Sequence, residues 1–425
     1  MRVELLHPAD QLVMFMNRIY HNGMTTTSGG NLSIRDENGD VWITPSGVDK
    51  GSLTRGDMIQ VKPDGTVIGM HRPSVELPFH LAVYRARPDL NAVLHAHHPI
   101  LIAFSLVRKL PDVSLIPNTA QICGPLRVAK YGLPGSELLG MRIAKEFEQG
   151  SNTVLLENHG IVCGAPSLFE AFMAFDTFAC CGRIEINANR MGKDLLPSPL
   201  PNRDPVPGFA SFAKTGYISE ERDARAALCR FVHRCCDQGL FTSTQGTYSV
   251  RLSDNSFLIT PHRKDRKYLE PEDIVHIKEG RCESGKTPSA AAALHAEIYQ
   301  KHPDIHSVIN AQPPYIMSFA VTGTDFDSRL IPESYMTLRD VKRLPYTDIR
   351  IHTADVVNSI TRHTPVLMVD SQCVIITGSS VLNAFDRLEV LEYSADAIIS
   401  CKNIGQIVLI PQEEIDKINV AFHLD

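Results

Sequence analysis

Apolar residues recur at three- and four-residue spacing from Asp10 to His21 and from Glu220 to Gly239, so each stretch predicts an amphipathic helix. Short apolar-rich runs follow the first of these and predict strands at Asn31 to Arg35, Val41 to Thr44 and Met58 to Lys62. Glu37-Asn38-Gly39-Asp40 and Pro63-Asp64-Gly65 supply the turns between them. A helix is predicted from Val75 to Arg87, with Ser74 as its N-cap and Pro88 as its stop. Beyond it come a strand from Ala92 to His97, a helix from Pro99 onward, a strand from Thr153 to Leu156 and a long helix from Ser167 to Ala188. Strands interleaved with helices predict an α/β fold with a sheet between helices, and hairpin-type turns make that sheet largely antiparallel or mixed.

The pattern occurs twice. TTTSGGNLSIR at Thr25 to Arg35 falls on FTSTQGTYSVR at Phe241 to Arg251, an offset of 216 residues. HRPSVELPFHLAVYRARPDLNAVLHAHHP falls on KTPSAAAALHAEIYQKHPDIHSVINAQPP at an offset of 215, with nine of twenty-nine positions identical. ENHGIVCGAPSLFEAF falls on DSQCVIITGSSVLNAF at an offset of 213. Order and spacing are kept through every block, which predicts a tandem duplication of one domain of about 200 residues. Between the copies, Pro197 to Pro207 has five prolines in eleven residues and reads as a stiff connector. The predicted organisation is a first domain over residues 1–195, a linker over 196–218 and a second domain over 219–425.

Composition narrows the function classes. With 42 Lys+Arg against 48 Asp+Glu, the net charge of −6 gives no basic footprint for nucleic acid or an anionic membrane. The most apolar stretch, Pro99 to Val107, is too short to span a bilayer, and MRVELLHPADQ lacks the layout of a signal peptide. Ten cysteines without metal-type CxxC spacing read as reduced, mostly buried thiols, and the expected location is the cytoplasm.

On the strand Val93-Leu94-His95-Ala96-His97 the two histidines point to the same face. They suit a pair of ligands for a first-row metal, and equally a hydrogen-bonded pair. His159 sits where an apolar strand ends on His-Gly, and Gly160 permits a sharp turn there. Glu76, near the first turn of the helix leading into the His95 strand, suits either helix-dipole complementarity or chemistry. The second copy separates these readings. There His95, His97, His159 and Glu76 become Asn310, Gln312, Gln372 and Ala291, while Ser74, His80 and Tyr84 persist as Ser289, His295 and Tyr299. Residues that serve the fold survive a duplication, and a disused site decays as a unit. Thr26 to Asn31 and Thr44 to Gly47 add hydroxyls and Gly-flanked N–H groups, the materials of an anion nest.

SGGNLS, WITPSG, RPSVE, HAHHP and ENHG, in this order, resemble the class II aldolase/adducin domain family, typified by L-fuculose-phosphate aldolase. The resemblance covers residues 8 to 192, with 220 to 421 as a degenerate second copy. It implies a three-layer α/β/α fold present twice, and a divalent metal, commonly zinc with manganese, cobalt or iron as alternatives, held by His95, His97 and His159. It further implies Glu76 as general acid/base and phosphate contacts at Ser28, Asn31, Ser46, Gly47 and Ser74. Val75 stands where the aldolases usually carry a second serine. The family's rings also borrow a tyrosine from a neighbouring subunit. The first copy has none after Ile116-Pro117, but the second has Tyr335 after Ile331-Pro332. The expectation is a homodimer forming a pseudo-fourfold ring, with Tyr335 completing the site of a first copy.

The implied activity is reversible aldol cleavage of a small ketose 1-phosphate to dihydroxyacetone phosphate and an aldehyde. Epimerisation, decarboxylation or dehydration of a sugar phosphate would use the same ligand set, and an adducin-like binding module would need none of it.

Overall fold

The structure is a computed structural model that describes residues 3–198, 208–214, 216–346, 349, 352–402 and 404–424. The proline-rich connector therefore lies, from 199 to 207, outside the described residues. The chain divides into two compact units, Met1–Val113 with Thr119–Arg183, and Ser114–Asn118 with Ile184–Asp425.

In the first unit, α1 (Pro8–His21) leads into β1 (Asn31–Arg35), β2 (Val41–Ile43), β3 (Ile59–Val61) and β4 (Val67–Ile68). Then come α2 (Leu77–Ala86), β5 (Ala92–Ala96), α3 (Pro99–Val107), α4 (Thr119–Cys123), β6 (Leu126–Ala129) and α5 (Glu137–Glu148). A hairpin of β7 (Thr153–Leu156) and β8 (Ile161–Ala165) precedes α6 (Leu168–Met191), which runs across the boundary between the units. The sheet order is β4-β3-β2-β1-β5-β8-β7-β6, antiparallel throughout except for the parallel pair β6–β7. Val41, Ile59, Val93 and Val162 face Phe79 and Val83 of α2 and Ile143 and Phe147 of α5 in one buried cluster. On the other side α1 meets α6, with the rings of Phe15 and Phe172 at 5.4 Å. Burying such side chains contributes about 1.5–3 kcal/mol each, which makes these two faces the main support of the sheet.

The second unit repeats the plan. It contains β9 (Ala210–Phe212), α7 (Ser219–Asp237), β10 (Thr247–Arg251), β11 (Phe257–Ile259), β12 (Val275–Lys278), β13 (Arg281–Glu283), α8 (Ala292–Lys301) and β14 (Ser307–Ala311). They are followed by α9 (Pro314–Thr322), α10 (Pro332–Leu338), β15 (Val341–Leu344), α11 (Thr353–Ser359), β16 (Val366–Val369), β17 (Cys373–Gly378), α12 (Val381–Cys401) and α13 (Gln412–Phe422). The order β15-β16-β17-β14-β10-β11-β12-β13 is that of the first sheet, and β9 adds one parallel edge strand beside β13. Equivalence extends to register: Ser33 pairs with Ile43, and Ser249 with Ile259. Phe231 and Phe385, the counterparts of Phe15 and Phe172, stand at 5.2 Å.

The predicted mixed sheet between helices is therefore present in both units. One local expectation is corrected. The α2 helix starts at Leu77, with Glu76 rather than Ser74 at its N-cap position and no side-chain cap. Pro78 tolerates this start because it has no N–H to satisfy. Ser74 sits one turn earlier, its Oγ accepting from the Glu76 N–H at 3.3 Å and its carbonyl from the Leu77 N–H at 3.0 Å. Seven of the ten cysteines are buried, and burial pushes the thiols of Cys163 and Cys373 up to about 12, which suits packing rather than reactivity. Among the described residues no helix is long and apolar enough to cross a membrane.

Candidate metal centre

The central strand β5 delivers His95, fully buried, and His97 follows one residue past the strand's end. The imidazoles still meet, Nε2 to Nε2 at 3.0 Å. His159 arrives from the β7–β8 hairpin. The left-handed residue of that hairpin is Asn158 (φ 54°), not the Gly160 that the sequence suggested. Gly160 has a different role: a Cβ there would stand 2.6 Å from the Ala96 carbonyl and 3.0 Å from His97 Cδ2. Its missing side chain lets the hairpin press against the histidine strand. Gly30 (φ +71°) does the same on the other flank, where a Cβ would stand 2.7 Å from the His95 carbonyl.

The three histidines offer ligand atoms that all lie within 4.8 Å of one another. Glu76, which is 5% exposed, points into the same space. Its Oε2 is 3.2 Å from His95 Nε2, and its Oε1 is 3.4 Å from His159 Nε2.

The protonation pattern of His95 follows from its partners. Nδ1 lies 2.8 Å from the Ile161 carbonyl, which can only accept, so Nδ1 carries the proton and Nε2 presents a lone pair. Burial, then the neighbouring His97, holds His95 down to about 3. Burial first, and then His95, holds His159 down to about 4, while burial also lowers His97. Glu76 Oε1 and His159 Nδ1 are buried without a hydrogen-bond partner. Neutral imidazoles and a carboxylate converging in a buried space form an acceptor-rich cluster, costly unless a cation balances it. The set fits a divalent metal: three nitrogen ligands of the preferred type, with His95 oriented from behind by a carbonyl.

The loops proposed as an anion nest lie beside this cluster. Pro45 and Pro73 form an isolated bridge, Ser46 N–H donates to the Arg72 carbonyl at 3.0 Å, and Ser74 N–H donates to the Thr44 carbonyl at 3.3 Å. Thr44 is thereby set next to buried Ser74, and Ser46 next to Arg72. Gly47 has φ +71° and open space around it. Ser28 is exposed and precedes Gly29, where a Cβ would stand 2.9 Å from His97 Nδ1. Asn31 is buried, and its amide donates to Glu76 Oε2 at 2.8 Å.

Sequence reasoning missed Lys50. It is buried, burial lowers it to about 8, and its Nζ donates to the Pro45 carbonyl at 2.6 Å while its N–H donates to the Thr27 carbonyl at 3.0 Å. It ties the two loops together. Arg266, at the same offset of 216, is buried likewise, and its N–H donates to the Ser243 carbonyl at 2.8 Å, so the aligned cation was the available signal.

Tyr335 lies on α10 in the second unit and is not among the residues gathered around Glu76. Its hydroxyl donates to Asn419 Oδ1 at 3.0 Å, and the Arg339 guanidinium stands 5.2 Å from its ring. With Arg339 it lines a cavity of about 470 Å³ that none of the four converging residues reaches. In that unit the positions equivalent to His95, His97 and His159 hold amides: Gln312 Nε2 donates to the Gln372 carbonyl at 2.7 Å, and Asn310 Oδ1 pairs with His295 at 2.9 Å.

The sequence matches the Class II Aldolase and Adducin N-terminal domain over residues 10–186 and again over 226–399. The chain belongs to this family. Within the class II aldolase and adducin family it is 35% identical over 193 residues to the 5-deoxy-D-ribulose 1-phosphate aldolase of Bacillus thuringiensis serovar kurstaki, covering 44% of this chain and 89% of that protein. It is 31% identical over 164 residues to the 3-oxo-tetronate 4-phosphate decarboxylase of Haemophilus influenzae, covering 38% of this chain and 78% of that protein. A solved structure of L-fuculose 1-phosphate aldolase is 30% identical, with a TM-score of 0.41, and covers 45% of this chain and 90% of its own. The first of these curated relatives is named as an aldolase and the second as a decarboxylase, so the family alone leaves the reaction open.

Proposed function

We propose that the protein is a divalent-metal-dependent lyase that cleaves a small ketose 1-phosphate reversibly to dihydroxyacetone phosphate and an aldehyde. The observation that carries this reading is Glu76 Oε1, buried without a hydrogen-bond partner and 3.4 Å from His159 Nε2. A carboxylate oxygen held unused beside a ligand set is placed for proton transfer to carbon.

His95, His97 and His159 would hold the ion, zinc or another first-row divalent metal. When bound it supplies Lewis-acid polarisation of the substrate carbonyl and offsets the negative charge that builds there. In the cleavage direction the bond between C3 and C4 breaks and its electron pair stays on the ketose fragment. Glu76 takes the proton of the C4 hydroxyl as the aldehyde forms and returns it to C3. Synthesis reverses each step. Ser28, Asn31, Ser46, Gly47 and Ser74 receive the phosphate through hydroxyl, amide and backbone N–H donors. Val75 is 65% exposed and offers that phosphate nothing, so the cradle has one donor fewer than the family's usual serine pair would give.

The working copy extends over residues 1–195 and the degenerate copy over 219–425, with the linker over 196–218. Two chains are proposed to form a pseudo-fourfold ring in the cytoplasm, with Tyr335 supplied to a neighbouring chain's Glu76. The 3-oxo-tetronate 4-phosphate decarboxylase relative favours one second reading, in which the bond broken next to the carbonyl releases carbon dioxide instead of an aldehyde.

A screen of ketose 1-phosphates and 3-oxo acid phosphates, reading aldehyde and carbon dioxide separately, tests the assignment. The expected result is aldehyde release that Glu76→Gln abolishes while the metal is retained. Carbon dioxide release alone would transfer the site to the decarboxylase reading. Unchanged turnover in Glu76→Gln would remove Glu76 from the mechanism.

A further inference from the structure

Behind Glu76 runs a line of buried polar side chains whose directions are fixed one by one. A carboxylate only accepts, so Asn31 must turn its Nδ2–H to Glu76 Oε2, at 2.8 Å. That aims Asn31 Oδ1 at His80 Nε2, 2.5 Å away, so Nε2 must be the donor. His80 Nδ1 is then the acceptor and takes the proton of Ser33 Oγ at 2.7 Å. Ser33 Oγ in turn accepts from the Tyr84 hydroxyl, also at 2.7 Å. His80 and Ser33 have no exposed surface, and Asn31 has 4%.

The second copy is an internal control. Ser249 Oγ stands 2.6 Å from His295 Nδ1 and 2.6 Å from the Tyr299 hydroxyl, the same triad in the same order. Its far end goes elsewhere. His295 Nε2 meets Asn310 Oδ1 at 2.9 Å, on the residue that replaces His95. Thr247, in the place of Asn31, turns to Ser289 at 2.5 Å. The triad is thus common framework between strand and helix, and its connection to a carboxylate belongs to the first copy alone.

We propose that Asn31 is a positioning residue for Glu76: the Tyr84–Ser33–His80 triad fixes the Asn31 amide, and that amide holds Glu76 Oε2 so that Oε1 alone carries the proton. This rests on the lyase reading for its kinetic consequence, but the hydrogen-bond chain is testable without any substrate.

Two measurements on the full chain decide it. In the ¹⁵N-labelled, metal-stripped protein, His80 and His295 are expected as Nε2–H tautomers, assigned with His80→Gln and His295→Gln. Glu76→Ala is expected to shift the His80 Nε2–H resonance and leave that of His295 in place. In the metal-loaded enzyme, Asn31→Ala is expected to lower kcat about 10- to 100-fold, the usual range for outer-shell partners, with the metal retained. A His80 resonance indifferent to Glu76→Ala would overturn the chain. A rise in KM with kcat unchanged would leave Asn31 a phosphate contact alone and overturn the assignment. If no substrate is turned over, the lyase reading fails and the resonance alone judges the chain.

Discussion

His95 and His97 face each other through their Nε2 atoms at 3.0 Å, although only His95 lies within strand β5. The Ile161 carbonyl occupies His95 Nδ1, so its opposite nitrogen meets His97 as a lone pair. Two residues apart on an extended chain, the rings share one face of the sheet, and the β7–β8 hairpin brings His159 over them. Ring centroids lie 4.8 Å apart for His95–His97 and for His95–His159, and 5.1 Å apart for His97–His159. The closeness depends on glycines that keep the neighbouring backbones bare.

Gly160→Ala is therefore expected to damage the centre. Its Cβ would stand 2.6 Å from the Ala96 carbonyl, a backbone atom that cannot swing aside. Overpacking of this kind costs about 1–3 kcal/mol. Denaturant unfolding and metal titration should both show loss. Gly47→Ala, with nothing within 4 Å of its Cβ but φ +71°, should lose about 1 kcal/mol from backbone strain and keep full metal binding. Equal metal loss in both would contradict the packing argument.

Acid should weaken the second unit through His295. Burial holds it down to about 4, against 6.5 for the free side chain. Between those values the unfolded chain takes up a proton that the folded chain refuses. The stabilisation is fully present above pH 6.5 and is lost as pH falls toward 4. At about 1.36 kcal/mol per pH unit, the loss is about 2 kcal/mol by pH 5. Denaturant midpoints at pH 7 and pH 5 should fall less in His295→Gln than in the parent. An identical fall would contradict the assignment.

Much of the framework could be read from residue order because the duplication lets each half annotate the other. β1 and β7 have the predicted bounds, and the paired histidines follow from side-chain alternation alone. Other features have no local signature. β8 is buried along its whole length and shows no alternation, so its pattern does not separate strand from helix. Ser74 has the right residue type for a cap, but Glu76 occupies the cap position and spends no side-chain bond there. Lys50 looks like a surface lysine in a polar turn until its partners at Pro45 and Thr27 are seen. The link from Asn31 to His80 joins residues 49 apart and depends on the register between β1 and α2.

Val75→Ser tests the missing donor in the proposed phosphate cradle. A hydrogen bond to a charged group contributes about 1.5–3 kcal/mol, so KM for a phosphorylated substrate should fall about tenfold or more with kcat unchanged. The same fall for an unphosphorylated analogue would show that the serine does not read phosphate.

Tyr335 is tested by mixing chains. Glu76→Gln and Tyr335→Phe should each be nearly inactive, and reassembly of the two together should restore part of the activity. Restoration arises only if one chain's second copy serves another chain's first copy. Full activity of Tyr335→Phe alone would confine that tyrosine to its bond with Asn419.

One copy is expected to carry the metal chemistry, and the other the fold without it. Calorimetric titration of the metal-stripped full chain with zinc, manganese and cobalt measures this most directly. One ion per 425-residue chain is expected, with binding weakened more than about 100-fold by His97→Ala, since loss of a ligand should exceed the loss of an outer-shell partner, and little affected by Gln312→Ala. Two ions per chain, no ion, or binding indifferent to His97→Ala would rule out a single metal centre in the first copy.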